Sequence, residues 1–349
     1  MVNGEIFDVT IIGGGPAGLY SAFYSGLREM KVKLIEFQPQ LGGKLHVYPE
    51  KMIWDVGGQT PIQGEKLIAQ LVAQGLTFKP EVVLNEKIEK IGRNEDGPFE
   101  LAGSSGQVHL SKTVIVAVGG GILNPQKLEI EGAERFEVSN LNYTVKSIER
   151  FKGKTVMISG GGNSAIDWAN ELEPIAGKVM VTYRKGELAG HEAQVSQLMN
   201  SKVHCFLNTA ITKLIASGER DVVESVELTH QLTGESHIEP VDEVIINHGY
   251  ERDATLLEAS DLPIDIADGY YISGNANSES TVPGLFAAGD ILQHPGKLNL
   301  IAGTFQDAAN AVNKAKQFIQ PEANGMAMVS SHNEVFKERN KELVKQLII

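Results

Sequence analysis

The sequence predicts an α/β protein built from two parallel-sheet units with helices packed on them. Three observations carry that prediction. Strand and helix signals alternate from the start of the chain. A short apolar strand followed by a glycine run and a helix occurs twice, first from Asp8 and again from Thr155. The 349 residues are enough for two domains at roughly 100–200 residues each.

The elements follow in order. Asp8–Ile12 reads as a strand, Leu19–Met30 as a helix and Lys31–Glu36 as a second strand. Thr113–Val118 reads as a further buried strand that ends in Gly119-Gly120-Gly121. The second series has a strand at Thr155–Ser159, a helix at Ile166–Leu172 and a strand at Lys178–Tyr183. Val241–Asn247 closes that series and runs into His248-Gly249. The polar, β-rich stretches Gly97–His109 and Val222–Glu239 suit antiparallel meanders. Leu285–Ala288 is a last short strand before Gly289-Asp290, and Thr304–Phe318 reads as a long helix. Pro321–Gly325 resembles a linker, and Glu334–Ile349 is helical with Val335, Leu343, Val344 and Leu347 among charges.

Composition excludes several function classes. The net charge of −13 is a poor match to phosphate backbones, so nucleic acid is not an expected partner. No run approaches the roughly 18 apolar residues of a membrane span. The strand from Ile6 leaves no room for a signal core. Cys205 is the one cysteine, which excludes an internal disulfide, a CxxC zinc site and a catalytic dithiol within one subunit. A reduced, cytoplasmic setting is expected. The nine histidines show no metal-ligand spacing, and His191-Glu192 lacks the second histidine of an HExxH helix. No GxSxG elbow is present.

The glycine runs carry the chemistry. In Gly13-x-Gly15-x-x-Gly18 the first glycine permits the turn, the second admits a pyrophosphate and the third lets helix and sheet pack closely. Glu36 ends the next strand, where a carboxylate accepts hydrogen bonds from a ribose. In Gly160-x-Gly162-x-x-Ala165 an alanine takes the third place, as the pattern allows. Here the second strand ends in Tyr183-Arg184-Lys185, and Arg184 and Lys185 suit a 2′-phosphate. The first site therefore fits FAD and the second NADPH, with hydride passing from nicotinamide to flavin. In Thr281-x-x-Gly284-Leu285-Phe286-Ala287-Ala288-Gly289-Asp290 a strand aims Asp290 at flavin hydroxyls. The helix that follows turns its positive end toward the flavin ring.

The order of these three motifs resembles that of two-dinucleotide-binding flavoproteins. It is most similar to thioredoxin reductases and, within them, to the thioredoxin-reductase-like ferredoxin/flavodoxin–NADP+ reductases. Gln40-Leu41-Gly42-Gly43, Tyr48-Pro49-Glu50-Lys51 and Lys297-Leu298-Asn299-Leu300-Ile301 also match. The resemblance implies two Rossmann-like nucleotide-binding domains, one for FAD and one for NADPH. The FAD domain would comprise residues 1–118 and 249–325, the NADPH domain 119–248 and a C-terminal extension 326–349. It also implies a homodimer whose domains move.

Tyr48 would stack on the flavin, and Lys44, Ile88, Leu123 and Ser331 would join the FAD site. The extension Val329-Ser330-Ser331-His332 would cover the other flavin face. Lys44 replaces a usual glutamine, which suits a raised flavin potential. Ala189-Gly190-His191-Glu192 lacks an arginine found in thioredoxin reductases, which suits modest NADPH affinity. Where those enzymes carry a CxxC pair, this chain reads Thr144-Val145-Lys146-Ser147. Where other disulfide reductases carry theirs, it reads Gly42-Gly43-Lys44-Leu45-His46-Val47. Electrons would then leave the flavin directly, for ferredoxin or flavodoxin. The alternatives are a disulfide reductase with a thiol from elsewhere, an NADPH oxidase or quinone reductase, and a non-catalytic flavin sensor.

Overall fold

The computed structural model describes residues 4–94, 97–121, 124–216, 218, 221–251, 253–328 and 334–347. The chain forms two compact units. Met1–Ile122 and Arg252–Ile349 make the first, and Leu123–Glu251 is inserted between them as the second.

The first unit opens with β1 (Ile6–Ile12), α1 (Pro16–Leu27) and β2 (Val32–Ile35). The short strands β3 (Met52–Ile53) and β4 (Ile62–Gln63) lead into α2 (Gly64–Gly75) and β5 (Glu81–Val83). β6 (Ile88–Arg93), β7 (Phe99–Gly103) and β8 (Val108–Val116) form a meander. In the second unit β9 (Leu141–Asn142) precedes β10 (Thr155–Ser159), α3 (Asn163–Leu172) and β11 (Lys178–Tyr183). Next come α4 (Glu192–Met199), β12 (His204–Leu207), a meander of β13 (Thr209–Ala216), β14 (Val223–His230) and β15 (Ser236–Pro240), and then β16 (Glu243–Ile246). The chain returns to the first unit through α5 (Thr255–Glu258), β17 (Ile266–Ala267), β18 (Tyr271–Ser273), β19 (Leu285–Ala287) and β20 (Leu292–Gln293). It ends in α6 (Ile301–Ile319) and α7 (Lys337–Leu347).

Each unit is a parallel sheet with an antiparallel meander. In the first, β8 serves both. Its front half pairs with β7 antiparallel, and its back half pairs with β19 parallel. The parallel order is β5-β2-β1-β8-β19. Alternation along β1 sorts the core. Val9 and Ile11 face α1, α2 and α6, where they pack with Leu19, Leu67 and Val312. Ile12 faces the opposite layer with Ile91, Phe99 and Leu101 of the meander. The second unit repeats the plan with a parallel sheet in the order β12-β11-β10-β16-β9. In the first unit β1 lies between β2 and the much later β8, and in the second β10 lies between β11 and the much later β16. That reversal of strand order leaves a crevice at the strand ends.

Several elements differ from the sequence expectation. The first helix begins at Pro16, not Leu19, because proline's fixed φ suits the first helical position. α6 begins at Ile301, three residues early, and α3 at Asn163. β8 starts at Val108 because its polar first half, with His109 and Ser111 buried, is held by the meander.

Leu34 on β2 is fully buried, while Met326 is 72% exposed. Leu34→Ala is expected to lower the stability of the apoprotein to urea by about 3 kcal/mol. Met326→Ala should change it by less than about 0.5 kcal/mol.

Candidate functional site

The crevice of the first unit is built by two close approaches. Gly13 turns the chain at φ +109°, and a Cβ there would lie 2.4 Å from the Ala117 carbonyl oxygen, past the end of β8. A Cβ at Gly18 would fall 1.8 Å from the Gly13 carbonyl oxygen, so α1 can start this close to β1 only with glycine there. Gly15 is different. It caps α1 at φ −76°, and a Cβ there would meet only Gly43 Cα, at an ordinary 3.7 Å. Among the described residues nothing demands glycine at this position. The missing side chain leaves room for a group from outside. The first turn of α1 has no acidic residue and no side-chain cap, so its free N–H groups and positive end face that room.

Glu36 closes one side. It is 7% exposed. One oxygen accepts the Gly14 N–H at 2.6 Å, and the other accepts the Gln38 N–H at 2.8 Å. The turn Gly43–Val47 lies along the glycine loop, where a Cβ at Gly43 would be 2.8 Å from Gly15 Cα. Lys44 is exposed on that turn, and Tyr48 caps it, half-buried against the helical side of the core.

Ile88 opens β6. Its side chain is buried in the meander core, although the Glu86 N–H just before it donates to the Glu36 carbonyl at 3.1 Å. Leu123 and the segment Val329–His332, Ser331 included, lie outside the described residues.

The other side of the crevice is the turn Gly289–Ile291. Gly289 has φ +78°, and a Cβ there would approach Ala17 at 3.0 Å and Thr304 Oγ1 at 3.8 Å. The first turns of α1 and α6 therefore meet at one glycine, with Asp290 exposed beside it. The Gly289 N–H donates to Asp307 Oδ2 at 3.1 Å, and the same oxygen pairs with Lys297 Nζ at 2.5 Å. Asp307 carries no motif signal in the sequence, and Lys297 stands out only within the stretch Lys297–Ile301. Their shared site shows only once the helix is folded.

The second unit has a parallel crevice. A Cβ at Gly160 would be 2.5 Å from the Asn247 carbonyl oxygen and 3.1 Å from Ala165 Cβ. Ala165 is fully buried there. Gly161 lies under the Tyr183 ring, 2.2 Å from a Cβ built on it. Gly162 caps α3, and a Cβ there would meet nothing within 4 Å. It matches Gly15 in position and in lacking any internal reason to be glycine. Arg184 and Lys185 are exposed just past β11 and make no ion pair with another described residue.

His248 is a neighbour that spacing did not single out. Its Nε2 lies 2.9 Å from Ser159 Oγ, at the entrance to the glycine loop. Burial, and then the Arg184 guanidinium, hold this imidazole below its ordinary range. The nearby Glu129 opposes the shift.

No thiol pair enters either crevice. Cys205 sits on β12, half-buried, and burial pushes its thiol up, away from the reactive thiolate. The segment Thr144–Ser147 carries Val145 in the core and is followed by a clamp on Glu243. There Arg150 Nη2 and Lys154 Nζ reach the buried carboxylate at 3.0 and 2.7 Å. Among the described residues no group of three or more His, Cys, Asp or Glu side chains could hold a metal, and no helix is long and apolar enough to cross a membrane.

Comparison with known proteins agrees with this geometry. Residues 7–315 match the model of the pyridine nucleotide-disulphide oxidoreductases. A Bacillus mycoides protein named ferredoxin–NADP reductase 1 is 75% identical over 99% of both chains. A protein of the same name from Bacillus licheniformis is 71% identical over the whole of both chains. An Exiguobacterium sibiricum ferredoxin–NADP reductase 2 is 68% identical over all of this chain and 99% of its own. Among solved structures, a Lactococcus lactis thioredoxin reductase superposes with a TM-score of 0.75 at 24% identity, covering 90% of this chain and 99% of that one, a likeness of fold. With two glycine cradles in sequence, and a family match spanning both, the chain belongs to the pyridine nucleotide-disulphide oxidoreductase family.

Proposed function

We propose that this chain is a ferredoxin–NADP reductase that uses FAD to pass electrons between NADPH and ferredoxin. The observation that carries it is the pair Gly15 and Gly162. Each caps a helix, and neither is made glycine by a contact with another described residue. Each leaves a cradle that a Cβ would narrow, against the positive end of a helix. Such cradles suit the pyrophosphates of two dinucleotides. The relatives of 68–75% identity bear the name ferredoxin–NADP reductase, which supports the same reading.

In this reading the first unit takes FAD. Gly13, Gly15 and Gly18 admit the pyrophosphate, and Glu36 faces the ribose beside it. The Gly289–Ile291 turn presents Asp290 to the ribityl chain, and Tyr48 and Lys44 flank the ring. The second unit takes NADPH. Gly160, Gly162 and Ala165 seat its pyrophosphate, and Arg184 and Lys185 pair with the 2′-phosphate. When bound, FAD supplies the exchange between a two-electron hydride donor and a one-electron carrier. The chain's own residues hold both dinucleotides. Cys205 has no second cysteine in the chain to form a dithiol with, so electrons leave the flavin directly. Flavodoxin is a second acceptor of the same kind. A second copy of the chain would suit the exposed Leu343 and Val344 of α7. The cytoplasm is the matching compartment.

Three outcomes follow. Gly15→Ala should leave the apoprotein's urea stability within about 1 kcal/mol, since the new Cβ meets only Gly43, yet weaken FAD retention by about tenfold or more. Equal FAD retention would show that the cradle holds something else. Arg184→Ala with Lys185→Ala should raise the KM for NADPH about 10- to 100-fold, and that for NADH by less than about threefold. An unchanged NADPH/NADH ratio would remove both residues from the phosphate site. The protein reduced anaerobically by NADPH should reduce ferredoxin in steady turnover and leave thioredoxin disulfide untouched. Turnover of thioredoxin in place of ferredoxin would overturn the proposed function.

A further inference from the structure

Lys297 and Asp307 form an ion pair almost closed to water, with side chains 3% and 10% exposed. The residues around Lys297 are largely exposed, so its long side chain had water within reach. It turns inward instead. Asp307 lies in the middle of α6, where the helix needs no carboxylate, beside the buried Ala308 and Ala311. An apolar side chain would pack there, and a buried ion pair roughly breaks even against one. Stability alone therefore gives little reason for the pair.

Its contacts point elsewhere. Asp307 Oδ2 takes both Lys297 Nζ and the Gly289 N–H. The Asp307 carbonyl accepts the Ser278 hydroxyl at 2.8 Å, and the Ser278 carbonyl accepts the Ala287 N–H at 3.1 Å. These bonds fasten α6 to the end of β19 and to the turn that carries Asp290. Gly289 is also where the first turns of α1 and α6 meet.

We infer that Lys297 and Asp307 are a positioning pair for the flavin site: Asp307 holds the Gly289–Ile291 turn by its N–H, and Lys297 cancels the carboxylate charge so that the flavin is not exposed to it. The inference rests on the proposed FAD site. Its signature is electrostatic. Loss of Lys297 leaves an uncancelled carboxylate one hydrogen bond from the turn, which disfavours the more negative reduced flavin. Loss of the Asp307 charge leaves an uncancelled ammonium, which favours it. Asparagine at 307 keeps an acceptor for the Gly289 N–H, and alanine removes it.

The test compares FAD retention and flavin midpoint potential in the wild-type holoprotein, Lys297→Met, Asp307→Asn, Asp307→Ala and the double variant Lys297→Met with Asp307→Asn. Lys297→Met should lower the potential and Asp307→Asn should raise it. The double variant should lie closer to wild type than either single change. Asp307→Ala should weaken FAD retention about tenfold, with Asp307→Asn within about threefold of wild type. Single variants that shift together or not at all, a double variant no closer to wild type, or equal retention by the Ala and Asn variants would each overturn the inference. The near-isosteric Asp307→Asn keeps the test decisive even if Lys297→Met does not fold. A wild-type chain that takes up no FAD overturns the functional reading and the inference with it. A chain that takes up FAD while its variants behave alike overturns the inference alone.

Discussion

In both units a helix starts almost in contact with the turn that follows the first strand, and the rest of each site depends on that closeness. The Gly13 carbonyl oxygen lies 1.8 Å from where a Gly18 Cβ would be. Any side chain at Gly18 would push α1 off the sheet. The helix N-terminus would then no longer lie beside Gly289, where α1, α6 and the Asp290 turn converge. In the second unit Ala165 fits at the same place, with its Cβ 3.1 Å from a Cβ built on Gly160. The second unit thus holds one methyl at this place, and the first has room for none. Close approach of this kind aims free N–H groups at the crevice, which makes it an anion site before any side chain is considered.

Two kinds of glycine are thus present in one motif. Gly13 and Gly18 are fixed by the chain's own backbone, and Gly15 is not. The distinction separates folding from binding within six residues, and the same separation holds between Gly160 and Gly162. Side chains then decide which dinucleotide suits which unit. A buried carboxylate, Glu36, stands at the first crevice, and two exposed cations, Arg184 and Lys185, stand at the second.

Much of this is readable from the sequence because local rules coincide with the fold. The strands at Thr155–Ser159 and Lys178–Tyr183 match the expectation residue for residue, since each is an apolar run bounded by glycine or charge. Helix starts read late. Pro16 and Asn163 look like turn residues until Gly15 and Gly162 are seen as caps. α6 starts early because Gly303, a turn signal by itself, packs under Leu298. β8 reads short because His109 and Ser111 are polar yet buried. The Lys297–Asp307 pair is invisible in the sequence. It joins a loop cation to a mid-helix carboxylate, and isolated charges at such positions ordinarily read as solvated. His248 is hidden for a similar reason, because its meeting with Ser159 depends on β10 and β16 being neighbours.

The family takes its name from disulphide chemistry, and this chain keeps the nucleotide sites without the thiols. Its one cysteine is on β12, half-buried. With a single cysteine in the chain, we expect the flavin to hold the electrons taken from NADPH. An anaerobic reductive titration of the FAD-loaded chain, followed by flavin absorbance, measures this directly. Full reduction is expected at two electrons per FAD. An uptake of four, with a second redox group filling alongside the flavin, would contradict it.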